Sequence, residues 1–173
     1  MEIRDHILAI RNGRNFESIQ NYFREHPKKI PALIELINDS EKYPFASYAS
    51  WALTHLCKTQ AEDIQPHYKR IIDALFKIED QSARRNLLCT LDHLTLTSYK
   101  EGKLLDKLVG FIENHENKVA VHVYTMRLLA KLVNKYPELK PEMVELLDLY
   151  AENKTPAYAS GMKNFLRATK GIQ

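Results

Sequence analysis

The sequence predicts an all-α fold: a right-handed α-α superhelix of about four helix pairs plus terminal helices, in a single domain spanning residues 1–173. Three observations predict it. Apolar residues recur at helical spacing throughout, as in Leu53 and Leu56 and then Leu87, Leu88, Leu91 and Leu94, and no alternating strand pattern persists. Prolines stand where helices should begin, a place where the missing N–H costs nothing. The five glycines are too few for the turns of a β-sandwich or the phosphate-cradling loop of a nucleotide-binding α/β core.

In chain order, helices are expected at 2–11 and 15–26, the first capping one end and the second stopped by Pro27. The segment 30–39 opens at Pro31 and carries Leu33-Ile34-Glu35. Segment 44–58 opens at Pro44 and carries Leu53 and Leu56, and 65–79 opens at Pro66 and carries Ile71-Ile72-Asp73. Asp80 is a candidate N-cap for 81–97, and 102–115 holds Leu104-Leu105-Asp106. Asn117 is the candidate cap of 118–135, which Pro137 stops. Pro141 opens 141–153, with Met143-Val144-Glu145, and Thr155 with Pro156 opens 156–169.

Each of these helices is too short to bury its own apolar face, so repeats are expected, and they are present. An offset of 38 superposes Leu53 on Leu91 and Leu129, and Leu56 on Leu94 and Leu132, with Leu166 following Leu129 at 37. The doublets closed by an acid recur in the alternate helices at offsets of 38, 33 and 39. A helix pair repeated at this period is an α-solenoid pattern, in which neighbouring repeats bury a continuous core.

At these residues the chain resembles the HEAT-like (armadillo-type) repeat superfamily. The strings ARRNLL at 83–88 and VAVHVYTMRLLAKLVNKYPELKPEM at 119–143 are similar to those of small bacterial HEAT-like proteins, and the resemblance covers nearly all of residues 16–170. It implies a helical-repeat fold and, for most of the superfamily, protein binding, with helical-repeat DNA glycosylases as the main catalytic branch. Adenylosuccinate lyase, a label that some similar sequences bear, does not fit. That enzyme looks like a much longer chain with a Ser- and Gly-rich catalytic loop, and nothing of that kind is present. No enzymatic activity and no cofactor are expected.

A 45% hydrophobic, 27% charged composition is that of an ordinary globular protein, which sets aside disorder, collagen and disulfide scaffolds. The net charge of +3 arises entirely beyond residue 115: residues 116–173 carry 9 basic and 6 acidic groups, whereas the preceding segments balance. No apolar run is long enough for a signal peptide or a membrane span, so a cytoplasmic protein without membrane association is expected. Cys57 and Cys89 form no CxxC and read as reduced thiols.

Two sets of residues are candidate binding surfaces. Glu35, Asp73, Asp106 and Glu145 close the four doublets at one helical position, and with Arg70 and Lys103 beside them they would form a docking strip for a basic protein or peptide partner. The alternative is an internal ladder, each acid bonded to the neighbouring repeat. The second set is Arg127, Lys131 and Lys135, followed by Lys163, Arg167 and Lys170, which would form a basic patch able to hold a nucleic-acid backbone, an acidic protein or anionic lipid, or merely a solvated face.

Other constellations are weaker. Cys89 and His93 lie i, i+4, with His55 one repeat back, but zinc needs a further ligand and none is evident, so no metal is expected. Trp51 is expected to be a partly buried packing residue rather than one wall of a base pocket. Tyr22, Tyr68, Tyr99, Tyr136 and Tyr150 fall near helix ends, where they suit a recognition rim as well as loop packing. In 156–169, any apolar surface left by Met162, Phe165 and Leu166 would invite self-association.

Overall fold

The computed structural model describes residues 3–11, 16–38, 45–151 and 155–171. Its helices are α1 (Ile3–Arg11), α2 (Phe16–Glu25), α3 (Ile30–Ile37), α4 (Phe45–Thr59), α5 (Ala61–Ile64), α6 (Tyr68–Lys77), α7 (Gln81–His93), α8 (Glu101–Glu113), α9 (Val119–Lys135), α10 (Lys140–Leu149) and α11 (Pro156–Ala168). Short 3-10 turns occupy Pro27–Lys29, Gln65–His67 and Pro137–Leu139, and no strand occurs among the described residues. The fold is all-α, as the apolar periodicity indicates.

Helix starts follow the local chemistry. Pro31, Pro141 and Pro156 sit in the first turn of α3, α10 and α11. Asp80 accepts the Ala83 N–H at 2.7 Å, and the Thr155 hydroxyl accepts that of Tyr158 at 3.2 Å, so both cap as expected. Asn117 does not. It is turned inward, 6% exposed, and its amide donates to the Phe111 carbonyl at 3.0 Å, so it closes the end of α8 and leaves Lys118 as the cap residue of α9. Pro27 and Pro137 follow the ends of α2 and α9, but each also starts the 3-10 turn that feeds the next helix, so they join helices as well as stopping them. Pro44 lies outside the described residues.

Three expected helices differ in extent by several residues, and the one placed at 141–153 ends at Leu149. The segment placed at 65–79 begins earlier, as α5, tightens at Gln65–His67 where Pro66 withholds an N–H, and ends at Lys77 because Ile78 is extended. The segment placed at 81–97 ends at His93. Leu94 turns extended with ψ 158° and keeps its side chain in the core. Beyond it, Gln65 captures the Thr95 backbone from both sides: the Thr95 N–H donates to Oε1 at 2.9 Å, and Nε2 donates to the carbonyl at 3.0 Å. That side-chain amide supplies the bonds a further helical turn would have made.

Residues 1–95 and 96–173 form two compact units. In the first, α4 packs on α1, α2, α3 and α7, while α6 packs on α3 and α7. Leu53, Leu56 and Leu91 of the repeat column are fully buried there, together with Leu33, Ile71 and Ile72 of the doublets. Each such side chain contributes about 1.5–3 kcal/mol relative to exposure. In the second unit, α9 packs on α8 and α11, and α10 packs on α8. Leu129 and Leu132 keep their buried places.

The column slips at its last member. Leu166 is 40% exposed, and Phe165, one residue earlier, is buried in its stead. The buried stripe of α11 runs Tyr158, Gly161, Phe165 and Thr169, at helical spacing. Gly161 sets that rotation, because a Cβ there would stand 2.9 Å from Met126 Sδ and 3.2 Å from Val123 Cγ2 of α9. Any side chain at this position would require Met126 and Val123 to shift, so glycine favours the close approach of the two helices.

Candidate functional site

The four acids at equivalent repeat positions fare differently. Glu35 is exposed on α3 and accepts a salt bridge from Arg70 of α6 at 3.1 Å. Acid and base here join one repeat to the next, although with both side chains more than half exposed the pair contributes little. Asp73, on the same helix as Arg70, is half-buried and engaged in interactions of its own. In the second unit Asp106 on α8 and Glu145 on α10 are both exposed, on helices that pack together. Neither side chain forms a hydrogen bond or ion pair among the described residues, and that of Lys103, also exposed on α8, forms none either.

The six basic residues also divide. Arg127 lies over the Tyr124 ring, 5.1 Å from its centroid, and Lys131 is half-buried. Lys135 donates to Glu101 at 2.7 Å and so is already partnered by a carboxylate. Lys163, Arg167 and Lys170 are exposed on or just beyond α11, with no side-chain hydrogen bond or ion pair among the described residues.

Glu101 is the centre of an arrangement that motif reasoning did not find. Its Oε1 accepts from Lys135 and its Oε2 from the Tyr136 hydroxyl at 2.6 Å, and its side chain is only 12% exposed. Desolvation pushes its pKa upward, but the bonds from Lys135 and Tyr136 outweigh it and hold the carboxyl below its ordinary value. The same bonds raise Lys135. Beside this cluster lies a cleft of about 310 Å³ lined by Glu101, Gly102, Leu105, Leu132, Tyr136, Glu138 and Leu139. The signal for it in the sequence is faint: a Tyr-Pro-Glu-Leu turn after α9, and a doublet in α8 whose second member, Leu105, stays half-buried while Ile34 and Ile72 are buried.

A wider hollow of about 560 Å³ in the first unit is lined by Ile3, Arg4, Lys29, Glu35 and Asn38 among others. The remaining sequence candidates lie elsewhere. Cys57 and Cys89 are buried free thiols, His93 is exposed, and His55 lies against the Trp51 ring at 4.3 Å. Among the described residues, no group of three His, Cys, Asp or Glu side chains could hold a metal ion. Trp51 is half-buried, as packing predicts. Of the tyrosines, Tyr68 is in the core at 3% exposure, Tyr22 stacks on His6 at 3.9 Å, and Tyr150 lies against His115 at 5.4 Å. Tyr158 donates to the Leu147 carbonyl at 3.1 Å, and burial, with Asp148 adding to it, pushes its phenol up to about 12. No described helix is long and apolar enough to cross a membrane.

A family model for the HEAT repeat domain matches residues 3–169. No curated protein and no solved structure matches the chain.

Proposed function

Because the chain belongs to the HEAT repeat domain family, whose members are generally scaffolds for protein interaction and typically not enzymes, we propose that it is a non-catalytic protein-binding module. The surface proposed for a basic partner segment is the exposed acid set on α8 and α10, Asp106 and Glu145, with Lys103 at its edge. The observation that supports this is the difference between equivalent positions. Glu35 is taken by Arg70, whereas Asp106 and Glu145 face solvent without a partner among the described residues. Under this proposal Glu35, Arg70 and Asp73 serve the repeat stack, and the unpaired acids serve recognition. A cytoplasmic location belongs to the same proposal and accords with two unbridged cysteines.

A second reading rests on Lys163, Arg167 and Lys170, whose exposure without ion pairs suits an anionic partner such as an acidic protein or a nucleic-acid backbone. Affinity capture from the host lysate, run with and without nuclease, separates the two. A stoichiometric protein that survives nuclease supports the scaffold. Recovery that collapses with nuclease, and that is lost on Lys163→Glu with Arg167→Glu, supports the second reading instead.

A further inference from the structure

The cleft beside Glu101 combines features that the acid set alone lacks. Its floor is apolar, formed by Leu105, Leu132 and Leu139, and at about 310 Å³ it reaches the lower end of the range of ligand pockets, about 300–1,000 Å³. One wall is braced: Glu101 is fixed by both Lys135 and the Tyr136 hydroxyl. The rim is acidic. Glu101 is neutralised by Lys135, but Glu138 is exposed and makes no ion pair among the described residues. Asp106, equally unpaired, follows the cleft residue Gly102 by one helical turn on the same face of α8. Gly102 has open space around it, since a Cβ there would meet nothing within 4 Å.

We propose that this cleft seats an apolar side chain, of Leu or Phe size, from a partner segment that carries Lys or Arg beside it. The apolar group is buried against Leu105 and Leu139, and the neighbouring cation meets Glu138 and Asp106. This rests on the reading of the acid set as a protein-docking surface and adds the chemistry of what docks. Charge complementarity selects a basic segment over an acidic one, and the apolar floor supplies affinity that a charged rim alone does not.

The test is an amide NMR titration of the full chain with two short peptides of equal charge, Lys-Phe-Arg-Lys and Lys-Ala-Arg-Lys. The Phe peptide is expected to bind about tenfold more tightly and to move the amides of Gly102, Leu105 and Leu139. Gly102→Trp fills the cleft from a helical position with open space around it and should abolish the difference between the peptides. Its melting curve reports whether the fold is kept, and Leu105→Lys provides a second block. Equal affinity of the two peptides, or a Phe advantage that survives both variants, overturns the cleft. If both peptides are still weakened by Asp106→Lys with Glu145→Lys, the acid surface stands without it. Failure of both peptides to bind overturns the cleft and the acid surface together.

Discussion

The Thr54 hydroxyl lies 3.0 Å from the Thr90 hydroxyl, and the two close a buried polar bridge between α4 and α7 at positions 36 residues apart. Thr54 also reaches the Asn86 carbonyl at 2.9 Å. The Asn86 amide donates to Ser50 Oγ at 3.1 Å and to the Ser47 carbonyl at 3.3 Å. All of Ser50, Thr54, Asn86 and Thr90 are buried, so every donor lost here leaves a partner without water to replace it. Asn86→Ala should therefore lower unfolding stability by about 2 kcal/mol in urea titration. A Thr54→Val and Thr90→Val double-mutant cycle should show coupling of about 0.5 kcal/mol or more.

Gly161 and Gly110 should respond in opposite directions to added side chains. Gly161→Val places methyl groups against Met126 and Val123 and is expected to cost about 1–3 kcal/mol. Gly110, in α8, would meet nothing within 4 Å, so Gly110→Ala should stabilise by about 0.5–1 kcal/mol through helix propensity alone. Thermal melts of both variants check this.

The Glu101 cluster carries a pH signature. Its folded carboxyl titrates below its ordinary value, so its contribution is complete above the unfolded pKa and is lost as pH falls through the lowered folded one. Glu101→Gln should cost about 1 kcal/mol at neutral pH. Its difference from the wild type should shrink as pH falls below the ordinary carboxylate range. A constant difference across that range would contradict the assignment.

Four histidines set a second dependence. His6, His55, His67 and His122 are each lowered chiefly by burial, with Lys58 adding at His55 and Arg70 at His67. At His122 the hydrogen bonds to the Asn114 and Phe111 carbonyls oppose the shift without reversing it. The folded state favours neutral imidazoles, so their contribution is present above pH of about 6.5 and lost as pH falls through the folded values. The melting temperature should fall between pH of about 7.5 and about 5, and His122→Phe should flatten part of that slope.

The repeat architecture was legible because it depends on local rules. Leu53, Leu91 and Leu129 mark the period, and Asp80 and Thr155 announce their helices through cap bonds made within three residues. The departures arise where a distant partner decides. Asn117 gives up a cap to satisfy the Phe111 carbonyl, and α7 ends early because Gln65 takes the backbone of Thr95. Spacing placed Glu35 and Asp106 in one class, but Arg70 reaches only the first of them. Lys135 read as one of six surface cations, yet it holds Glu101, a contact across 34 residues that no periodic pattern encodes. The cleft escaped notice for a related reason: Leu105 shares its doublet position with Ile34 and Ile72, and only tertiary packing leaves it half-buried.

The central claim is that the unpaired acids of α8 and α10 recognise a protein partner while the paired acid of α3 does not. The most direct measurement is the affinity of a nuclease-resistant captured partner for three proteins: wild type, Asp106→Lys with Glu145→Lys, and Glu35→Lys. The account predicts a loss of at least about tenfold for the double reversal and almost none for Glu35→Lys. Equal losses for both, or none for either, would contradict it.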